Sequence, residues 1–314
     1  MEALLFEPIY KERVWGGRGL AERLNRDLPY GPIGESWEIV DRPEADSHVR
    51  NGAWAGRALS ELRRQETTAL LGPAWDAERP FPILVKWLDC QQRLSLQVHP
   101  PAAVAPELGG EPKTENWYVV AAEPGAALLA GLREGVTREQ FEAGLRTDEL
   151  EPLVCKLPSR AGDSLFVESG RLHAIDGGNF ILEIQKNSDT TYRVYDWGRV
   201  GLDGQPRELH VAESMRSIDF EDFNPTLDHP TGPESVLADS DVFRLRRLEL
   251  SGGGGTEFPA DSACAIVSVI EGAVRVRESG QTLRAGDNAL LPYAGAFTLH
   301  ADAPAALLVT DRFA

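Results

Sequence analysis

The sequence is poor in cysteine and in positive charge, and each shortage removes a class of protein. Only three cysteines, Cys90, Cys155 and Cys264, occur among 314 residues. Their odd number and wide spacing argue against a disulfide framework and against a thiolate zinc site. The 49 acidic residues outnumber the 32 basic ones, which gives a net charge of −17. An acidic surface repels nucleic acid and anionic membranes, so we expect neither as a partner.

Long apolar runs are missing as well. No stretch is long enough to cross a bilayer. The N-terminal region carries Glu2 and Glu7 beside an apolar run that is too short for a signal peptide. We therefore expect a cytoplasmic protein. A hydrophobic fraction of 42% is sufficient for a packed core, and a prior of one domain per ~150 residues gives about two domains.

Most of the chain has the pattern of short strands separated by Gly and Pro. Typical segments are FPILVKWL (81–88), WYVVAA (117–122) and FILEIQ (180–185). This pattern predicts a mostly β protein, built as a sandwich or a barrel. Helical pattern is confined to residues 56–72 and 137–154. Thr137 and Gln140 have the spacing of a capping box at the start of the second helix.

A weak internal repeat relates two parts of the chain. Residues 157–175 and 267–300 each contain A-G-D, a few strand residues, a turn with Gly and a second strand. His173 lies on the second strand of the first copy, where the other copy has Phe297 or Thr298. We therefore expect chemistry in the first copy and a structural role for the second.

One strand carries the polar groups that suggest a metal site. In the stretch LSLQVHP, alternation puts Ser95, Gln97 and His99 on one face and the aliphatic residues on the other. Glu115 precedes another strand, and His173 follows a tight hairpin turn. Imidazole and carboxylate groups are common metal ligands. A barrel could bring Gln97, His99, Glu115 and His173 together, whereas the simpler alternative is four isolated polar residues.

These spacings resemble the motifs of the cupin superfamily, with two departures. Gln97 stands where the first motif has its initial His, and Glu168 stands where the second motif has Pro. Longer segments match a narrower group, in order, over about residues 6–220. They are KERVWGG (11–17), GESWEI (34–39), FPILVKWLD (81–89), LSLQVHP (94–100), KTENWYVV (113–120), SGRLHAI (169–175) and LEIQKNSDTTYRVYDWGR (182–199). Together they resemble the type I mannose-6-phosphate isomerases, and most of all the short bacterial branch.

The resemblance implies a mostly β chain with two cupin-like β-barrel or jelly-roll domains. We expect a catalytic domain over residues 1–220, with a short helical insertion at about 137–154. A linker rich in Pro, Asp and Ser over residues 221–235 leads to a second, non-catalytic domain over 235–314. The resemblance also implies one Zn²⁺ per chain, bound by Gln97, His99, Glu115 and His173.

The implied activity is the zinc-dependent interconversion of mannose 6-phosphate and fructose 6-phosphate through an enediolate. Arg193 matches the family's active-site arginine, and Lys86 and Lys113 match lysines that face the same pocket. Ser95 and Arg199 match positions that hold the substrate phosphate. The substrate is thus a small sugar phosphate, and the chain is expected to be a monomer or a homodimer.

Proton transfer between C1 and C2 requires a base. Glu183, Lys113 and a water molecule on the metal are candidates, and the sequence does not choose among them. Simpler roles are a Lys86 that reaches a strand edge, an outward-facing Glu183, and an Arg193 paired with Asp189 or Asp196 at the surface.

Two other functions fit a metal-binding cupin. One is a non-catalytic sugar-binding or regulatory module, although the chain has no segment that resembles a helix-turn-helix. The other is an oxygenase that uses iron. The neutral amide of Gln97 argues against the oxygenase, because an amide is a weak ligand for redox iron.

Overall fold

A computed structural model describes residues 1–313 and consists mainly of short strands. Its helices, numbered in chain order, are α1 (Gly19–Leu24), α2 (Leu59–Gln65), α3 (Thr67–Leu71), α4 (Arg138–Thr147) and α5 (Val211–Ser217). Single 3₁₀ turns cover Gly52–Trp54, Ala105–Leu108 and Glu151–Leu153. The predicted mostly β fold with a small helical content is confirmed.

The strands are likewise numbered in chain order. The first half comprises β1 (Ile9–Gly17), β2 (Ile33–Ile39), β3 (Asp41–Arg42), β4 (Ala45–Asp46), β5 (Ile83–Cys90), β6 (Leu96–Val98), β7 (Glu115–Ala122), β8 (Ala127–Leu132), β9 (Val154–Pro158), β10 (Ser164–Val167) and β11 (His173–Ile175). The second half comprises β12 (Asn179–Lys186), β13 (Tyr192–Tyr195), β14 (Glu234–Asp239), β15 (Arg244–Leu250), β16 (Gly255–Phe258), β17 (Ala265–Glu271), β18 (Ala273–Val276), β19 (Thr282–Arg284), β20 (Asn288–Leu291), β21 (Phe297–His300) and β22 (Ala305–Asp311).

The chain divides into two compact units. One unit contains Met1–Ile9, Ser36–Lys86 and the chain from Pro230 onward. The other unit contains Tyr10–Glu35 and Trp87–His229. The predicted division into a catalytic and a non-catalytic domain stays a prediction about function.

The unit that contains residues 87–229 is a sandwich of two sheets. One sheet has the strand order β1-β2-β5-β12-β7-β10, and this unit holds residues 33–35 of β2 and 87–90 of β5. The other sheet has the order β13-β6-β11-β8-β9. Side chains from both sheets meet in one apolar core, since Trp117 and Ile181 of the first sheet cluster with Leu128 and Ile175 of the second. This interior also encloses the candidate site.

A second apolar cluster covers the outer face of the β13-β6-β11-β8-β9 sheet. Leu96 and Val98 of β6 pack there with Phe141 of α4 and Met215 of α5. Leu94 packs in the sandwich interior instead. The predicted alternation along LSLQVHP is therefore correct only from Leu96 onward, because β6 begins at that residue.

Helix α4 begins with the predicted capping box. The Thr137 hydroxyl accepts a hydrogen bond from the Gln140 backbone, and the Gln140 side chain accepts one from the Thr137 backbone. The helix ends at Thr147, because Asp148 adopts a left-handed conformation with φ of 57°. The Glu151–Leu153 turn follows as a separate element.

The unit that contains the chain from Pro230 onward is also a two-sheet sandwich. Its sheets have the orders β14-β15-β22-β17-β20 and β16-β21-β18-β19. Val267 and Leu307 of the first sheet share an apolar core with Val276 and Leu299 of the second. The helical pattern predicted over residues 56–72 forms two helices in this unit, α2 and α3.

The internal repeat corresponds to the same turn made twice. The backbone N–H of Arg160 donates to the Asp163 carboxylate at 2.9 Å, and that of Arg284 donates to Asp287 at 2.8 Å. Between them, Gly162 and Gly286 have φ of 93° and 95°, a left-handed region that favours glycine. β11 begins at His173 and β21 at Phe297, the same distance after each turn.

Two expectations from composition concern features outside the site. All three cysteines are free. Among the helices of residues 1–313, none is long and apolar enough to span a membrane. The cytoplasmic location and the oligomeric state stay predictions.

Candidate metal centre

One wall of the candidate site is the β12-β7-β10 part of its sheet. Glu115 is the first residue of β7, and its register partners are Gln185 on β12 and Val167 on β10. Two residues further along, Trp117 pairs with Glu183. Residues two apart on a strand, and their partners across the ladder, share one face of a sheet. Glu115, Trp117, Glu183 and Gln185 therefore lie on the same face.

The opposite wall is a row of residues across three strands of the other sheet. Gln97 on β6 pairs with His173 on β11 at one side and with Arg193 on β13 at the other. Direct partners point to the same side of a sheet, so these three side chains form one row. His99 follows Gln97 by two residues, and its ring lies 4.6 Å from that of His173, centroid to centroid.

Three of the predicted metal ligands converge between the two sheets. His99 Nε2 lies 3.4 Å from Glu115 Oε2, and His173 Nε2 lies 3.7 Å from Glu115 Oε1. One ligand atom from each residue falls within 4.8 Å of the others, and all three residues are completely buried. Gln97 is half-buried beside them in register with His173, and its role as a fourth ligand stays a prediction.

Backbone carbonyl groups fix both imidazole rings in the form that binds metal. His99 Nδ1 lies 2.9 Å from the carbonyl of Thr190, and His173 Nδ1 lies 2.7 Å from that of Arg171. A carbonyl oxygen only accepts, so each Nδ1 carries the proton and each Nε2 presents a lone pair to the interior.

Burial keeps these two imidazoles neutral. It lowers the pKa of His173 to about 3, with a further contribution from the neighbouring His99. Burial also lowers the pKa of His99, assisted by the positive charge of Lys113. Both rings are therefore uncharged at neutral pH, which is the protonation state that a metal requires.

Two orphaned atoms show that the residues fit a cation. Within residues 1–313, His173 Nε2 and Glu115 Oε1 are buried and have no hydrogen-bond partner. A buried polar atom without a partner costs free energy. Both atoms are acceptors, and a divalent metal is a partner that two imidazoles and a carboxylate bind well. The geometry and the chemistry of this donor set thus agree with a metal site.

Lys113 adds positive charge to the same interior. Its Nζ contacts Glu115 Oε2 and lies 3.2 Å from His99 Nε2 and 3.8 Å from Glu183 Oε1. Burial by itself lowers the pKa of Lys113, but the charges of Glu115 and Glu183 outweigh it and raise the pKa. Burial likewise opposes ionisation of Glu115, yet the positive charge of Lys113 holds its pKa well below the ordinary value. Both groups therefore stay charged at neutral pH.

Glu183 faces the interior and not the solvent. It is 5% exposed, and its Oε2 accepts a hydrogen bond of 3.0 Å from the indole of Trp117. The alternative of an outward-facing residue is wrong. The carboxylate is close to Lys113 and is held by a donor on the adjacent strand.

Arg193 extends the row on β13. The alternative in which Arg193 forms an ion pair with Asp189 or Asp196 is not what the structure shows. Its Nη1 donates to the carbonyl of Glu208 at 2.7 Å, instead of to Asp189 or Asp196. Asp196 instead accepts from Arg199, with Nη2 at 2.6 Å. The guanidinium of Arg193 is thus held by backbone, and its catalytic role stays a prediction.

Ser95 and Lys86 are both buried. Ser95 immediately precedes β6 and is 4% exposed. Lys86 is 5% exposed within β5, and its Nζ lies 4.9 Å from the ring centroid of Trp37, a cation–π distance. The alternative in which Lys86 reaches a strand edge in solvent is therefore wrong. The substrate-binding roles of both residues stay predictions.

Sequence reasoning missed one charged residue near these groups. Arg207 makes a two-pronged contact with Asp196, through Nε at 2.7 Å and Nη2 at 2.6 Å. It follows a polar loop in which no spacing or periodicity distinguishes it from other surface arginines. The carbonyls of Thr190 and Arg171 were also missed, because a sequence pattern of side chains carries no signal for backbone contacts.

Known proteins are similar to this chain in sequence and in fold. The family "Phosphomannose isomerase type I, catalytic domain" matches residues 4–124. Mannose-6-phosphate isomerase of Streptococcus mutans is 35% identical over 296 residues, which covers 93% of this chain and 92% of that protein. Mannose-6-phosphate isomerase ManA of Bacillus subtilis is 35% identical over 301 residues, or 93% of each chain.

Solved structures agree with these matches. The crystal structure of mannose 6-phosphate isomerase from Bacillus subtilis has a TM-score of 0.88 at 30% identity and covers 99% of both chains. A phosphomannose isomerase mutant from Salmonella typhimurium shares the fold, with a TM-score of 0.77 at 18% identity. Fold and site define a β-sandwich enzyme with a buried His–Glu–His cluster. The chain belongs to the type I phosphomannose isomerases, also called mannose-6-phosphate isomerases.

If the cluster holds a metal, His99→Ala and His173→Ala should each lose it. Purified wild-type protein should contain about one divalent metal ion per chain, as one three-ligand site predicts. Each alanine variant removes one of three ligands and should retain only a small fraction of that metal. Elemental analysis measures the content directly.

His48→Ala is the matched control, because His48 is exposed and outside the cluster. It should retain the wild-type metal content. Equal metal content in all four proteins would contradict the assignment of this cluster.

Proposed function

We propose that the chain interconverts mannose 6-phosphate and fructose 6-phosphate with a zinc ion as cofactor. The observation that carries this proposal is the buried cluster of His99, Glu115 and His173, with both Nε2 lone pairs directed inward. Two neutral imidazoles and one carboxylate form a donor set typical of zinc enzymes. We assign Gln97 as a further ligand from its register with His173. The names of the relatives supply the substrate.

The residues around the cluster suit an aldose–ketose isomerisation. Moving a proton between C1 and C2 develops negative charge on the oxygens O1 and O2. Zinc would supply a Lewis acid for these oxygens. Lys113 stays protonated beside the cluster because Glu115 and Glu183 raise its pKa. Arg193 lies in the same row as Gln97 and His173, and we assign it to stabilise the developing charge.

We assign the proton transfer to Glu183. A base must have a lone pair, and the raised pKa of Lys113 leaves that lysine protonated at neutral pH. Glu183 is buried, held by the Trp117 indole and 3.8 Å from Lys113 Nζ. Lys113 is then suited to hold the substrate oxygens and Glu183 to carry the proton.

The substrate phosphate is assigned to Ser95 and Arg199, with Lys86 as a further substrate-binding residue. A hydroxyl and a guanidinium are both suitable donors to phosphate oxygens. Arg199 Nη1 also donates to the carbonyl of Arg93, two residues before Ser95. The two assigned donors thus lie near each other in the fold. Such local donors explain how a chain of charge −17 accepts an anionic substrate.

A coupled assay of mannose 6-phosphate conversion tests the function. Wild-type protein should form fructose 6-phosphate. Removal of metal with a chelator should abolish that conversion, and added Zn²⁺ should restore it. A protein that binds the sugar phosphate without converting it would instead be a non-catalytic binding module.

Replacement of Arg193 tests the charge-stabilising role. Arg193→Ala should lower kcat by about 10²- to 10³-fold, because it removes one preorganised positive charge at the transition state. Arg193→Lys should remain impaired, since lysine lacks the planar fork. The exposed Arg275, which pairs with Asp302, provides the control Arg275→Ala. Near-normal kcat in Arg193→Ala would reduce Arg193 to a structural residue.

Glu183→Gln tests the assignment of the base. The amide is similar in size but cannot accept the proton, so turnover should fall by about 10²- to 10⁴-fold, as expected for a lost general base. Exchange of the substrate C2 hydrogen with solvent should fall in parallel, while metal content is retained. Glu168→Gln is the control, because Glu168 is exposed in the same unit. Unchanged hydrogen exchange in Glu183→Gln would move the proton transfer to another group.

A further inference from the structure

A buried carboxylate organises two arginines just after β13. Asp196 is 5% exposed and accepts from Arg207 through Nε and Nη2, at 2.7 and 2.6 Å, and from Arg199 through Nη2 at 2.6 Å. Burial by itself raises the pKa of Asp196, but the hydrogen bonds and charges of Arg207 and Arg199 hold it below the ordinary value. We call Asp196 with Arg193, Arg199 and Arg207 the arginine cluster.

The arginine cluster carries more positive than negative charge. Burial and the charges of Arg207 and Arg199 lower the pKa of Arg193, so both guanidinium groups lie close enough to act on Arg193. Three positive charges face the single buried carboxylate of Asp196, which leaves two uncompensated. Glu208 also acts on Arg193, but its side chain is 83% exposed and water screens it.

Two donors of the arginine cluster are unsatisfied. Within residues 1–313, the Nε atoms of Arg193 and Arg199 are buried and have no hydrogen-bond partner. Unpaired buried donors beside excess positive charge favour an anion with several acceptor oxygens. A phosphate dianion matches both the number of uncompensated charges and the need for acceptors.

A similar group in the other unit shows that this imbalance is not a general feature of the chain. Asp311 accepts from Arg244 through Nε and Nη2, at 2.7 and 2.9 Å, and from Arg246 at 2.9 Å. Arg246 also pairs with Glu234 at 2.8 Å. Asp239 also acts on Arg244, so the carboxylates there at least balance the two arginines. Arg246 Nε is likewise buried without a hydrogen-bond partner within residues 1–313, so the uncompensated positive charge, and not an unpaired donor alone, distinguishes the arginine cluster.

The arginine cluster adjoins the candidate site. Arg193 is the register partner of Gln97. Arg199 Nη1 donates to the carbonyl of Arg93, and Trp197 Nε1 donates to that of Leu94 at 2.7 Å. These contacts attach the segment after β13 to the chain immediately before Ser95. The excess positive charge therefore lies at the end of β6 that is assigned to the phosphate.

We propose that Arg207 is a second guanidinium ligand for the substrate phosphate, beside Arg199, and that Asp196 is a positioning residue for Arg199 and Arg207. The inference rests on the proposed function, which provides a phosphate-bearing substrate. Asp196 fixes one edge of the Arg207 guanidinium and the Nη2 group of Arg199, so that the remaining N–H groups are directed with less loss of rotamer freedom on binding. Substitution of either residue should therefore weaken phosphate binding more than it changes the chemical step.

Arg207→Gln tests the ligand role with inorganic phosphate as the probe. Phosphate binding, measured by calorimetry on the metal-loaded protein, should weaken by about 10- to 100-fold, as for one lost charge-assisted contact. KM for mannose 6-phosphate should rise by a similar factor, with a smaller change in kcat. Arg244→Gln removes an equivalent two-pronged contact, with arginine exposures of 23% and 21%, and should leave phosphate binding unchanged.

Asp196→Asn separates positioning from neutralisation. The substitution makes the arginine cluster more positive, so a merely neutralising Asp196 predicts tighter phosphate binding in the variant. A positioning Asp196 predicts weaker binding, because the asparagine amide cannot accept from both forks. Tighter binding in Asp196→Asn would overturn the positioning role.

The remaining outcomes separate this inference from the proposed function. If Arg207→Gln binds phosphate within twofold of wild type, or loses no more affinity than Arg244→Gln, the ligand role is overturned. Absence of phosphate binding by wild type overturns it as well. If wild type binds phosphate, Arg207→Gln weakens that binding and neither protein converts mannose 6-phosphate, the inference holds and the proposed function fails. Equal unfolding midpoints of Arg207→Gln and Arg244→Gln exclude a folding defect as the cause.

Discussion

The carboxylate of Glu115 is completely buried, and a buried charge is costly unless other groups compensate it. Its compensation comes from both sides of the sandwich. Lys113 contacts it from its own chain segment, and His99 and His173 approach it from the facing sheet. The two sheets are thus coupled through Glu115, because neither sheet alone provides all the groups that surround its carboxylate. A divalent metal would add the charge that neutral imidazoles do not provide.

The imidazoles owe their orientation to loops rather than to strands. Thr190 and Arg171 lie outside regular strands, and their carbonyl groups accept the hydrogen bonds from the two rings. A carbonyl cannot be changed by replacing a side chain, so the tautomers of His99 and His173 are insensitive to most substitutions in these loops. They remain sensitive to any change of backbone path. This arrangement gives the two imidazoles a fixed geometry before any ligand binds, which is the condition for a preorganised site.

Local sequence patterns predicted individual helices, strands and polar faces. The contacts that the sequence did not predict depend on long-range packing. The capping box of α4 depends on residues three apart, and the polar face around Gln97 and His99 on alternation along one strand. Both features can therefore be predicted from the linear sequence. The pairing of Arg207 with Asp196 joins two polar segments, and no sequence pattern in either segment indicates that they pair. The register between strands is not predictable from the sequence either. Gln97 lies beside His173 and Arg193 only because of the way in which β6, β11 and β13 pair. Family resemblance supplied the candidate residues but not their neighbours.

The R-A-G-D turns at residues 160–163 and 284–287 allow one turn to be compared with another in the same chain. Each turn starts a strand from the same hydrogen bonds, yet one leads to His173 and the other to buried Phe297. The first copy places a residue of the His–Glu–His cluster, whereas the second places an apolar residue in the core of its sandwich. Asp163 is 1% exposed and lies 2.7 Å from His229 Nδ1, whereas Asp287 pairs with Arg50, so one substitution made at both positions compares the same turn in two different surroundings. The chain thus contains two copies of one turn, and their tolerance to substitution can be compared within a single protein.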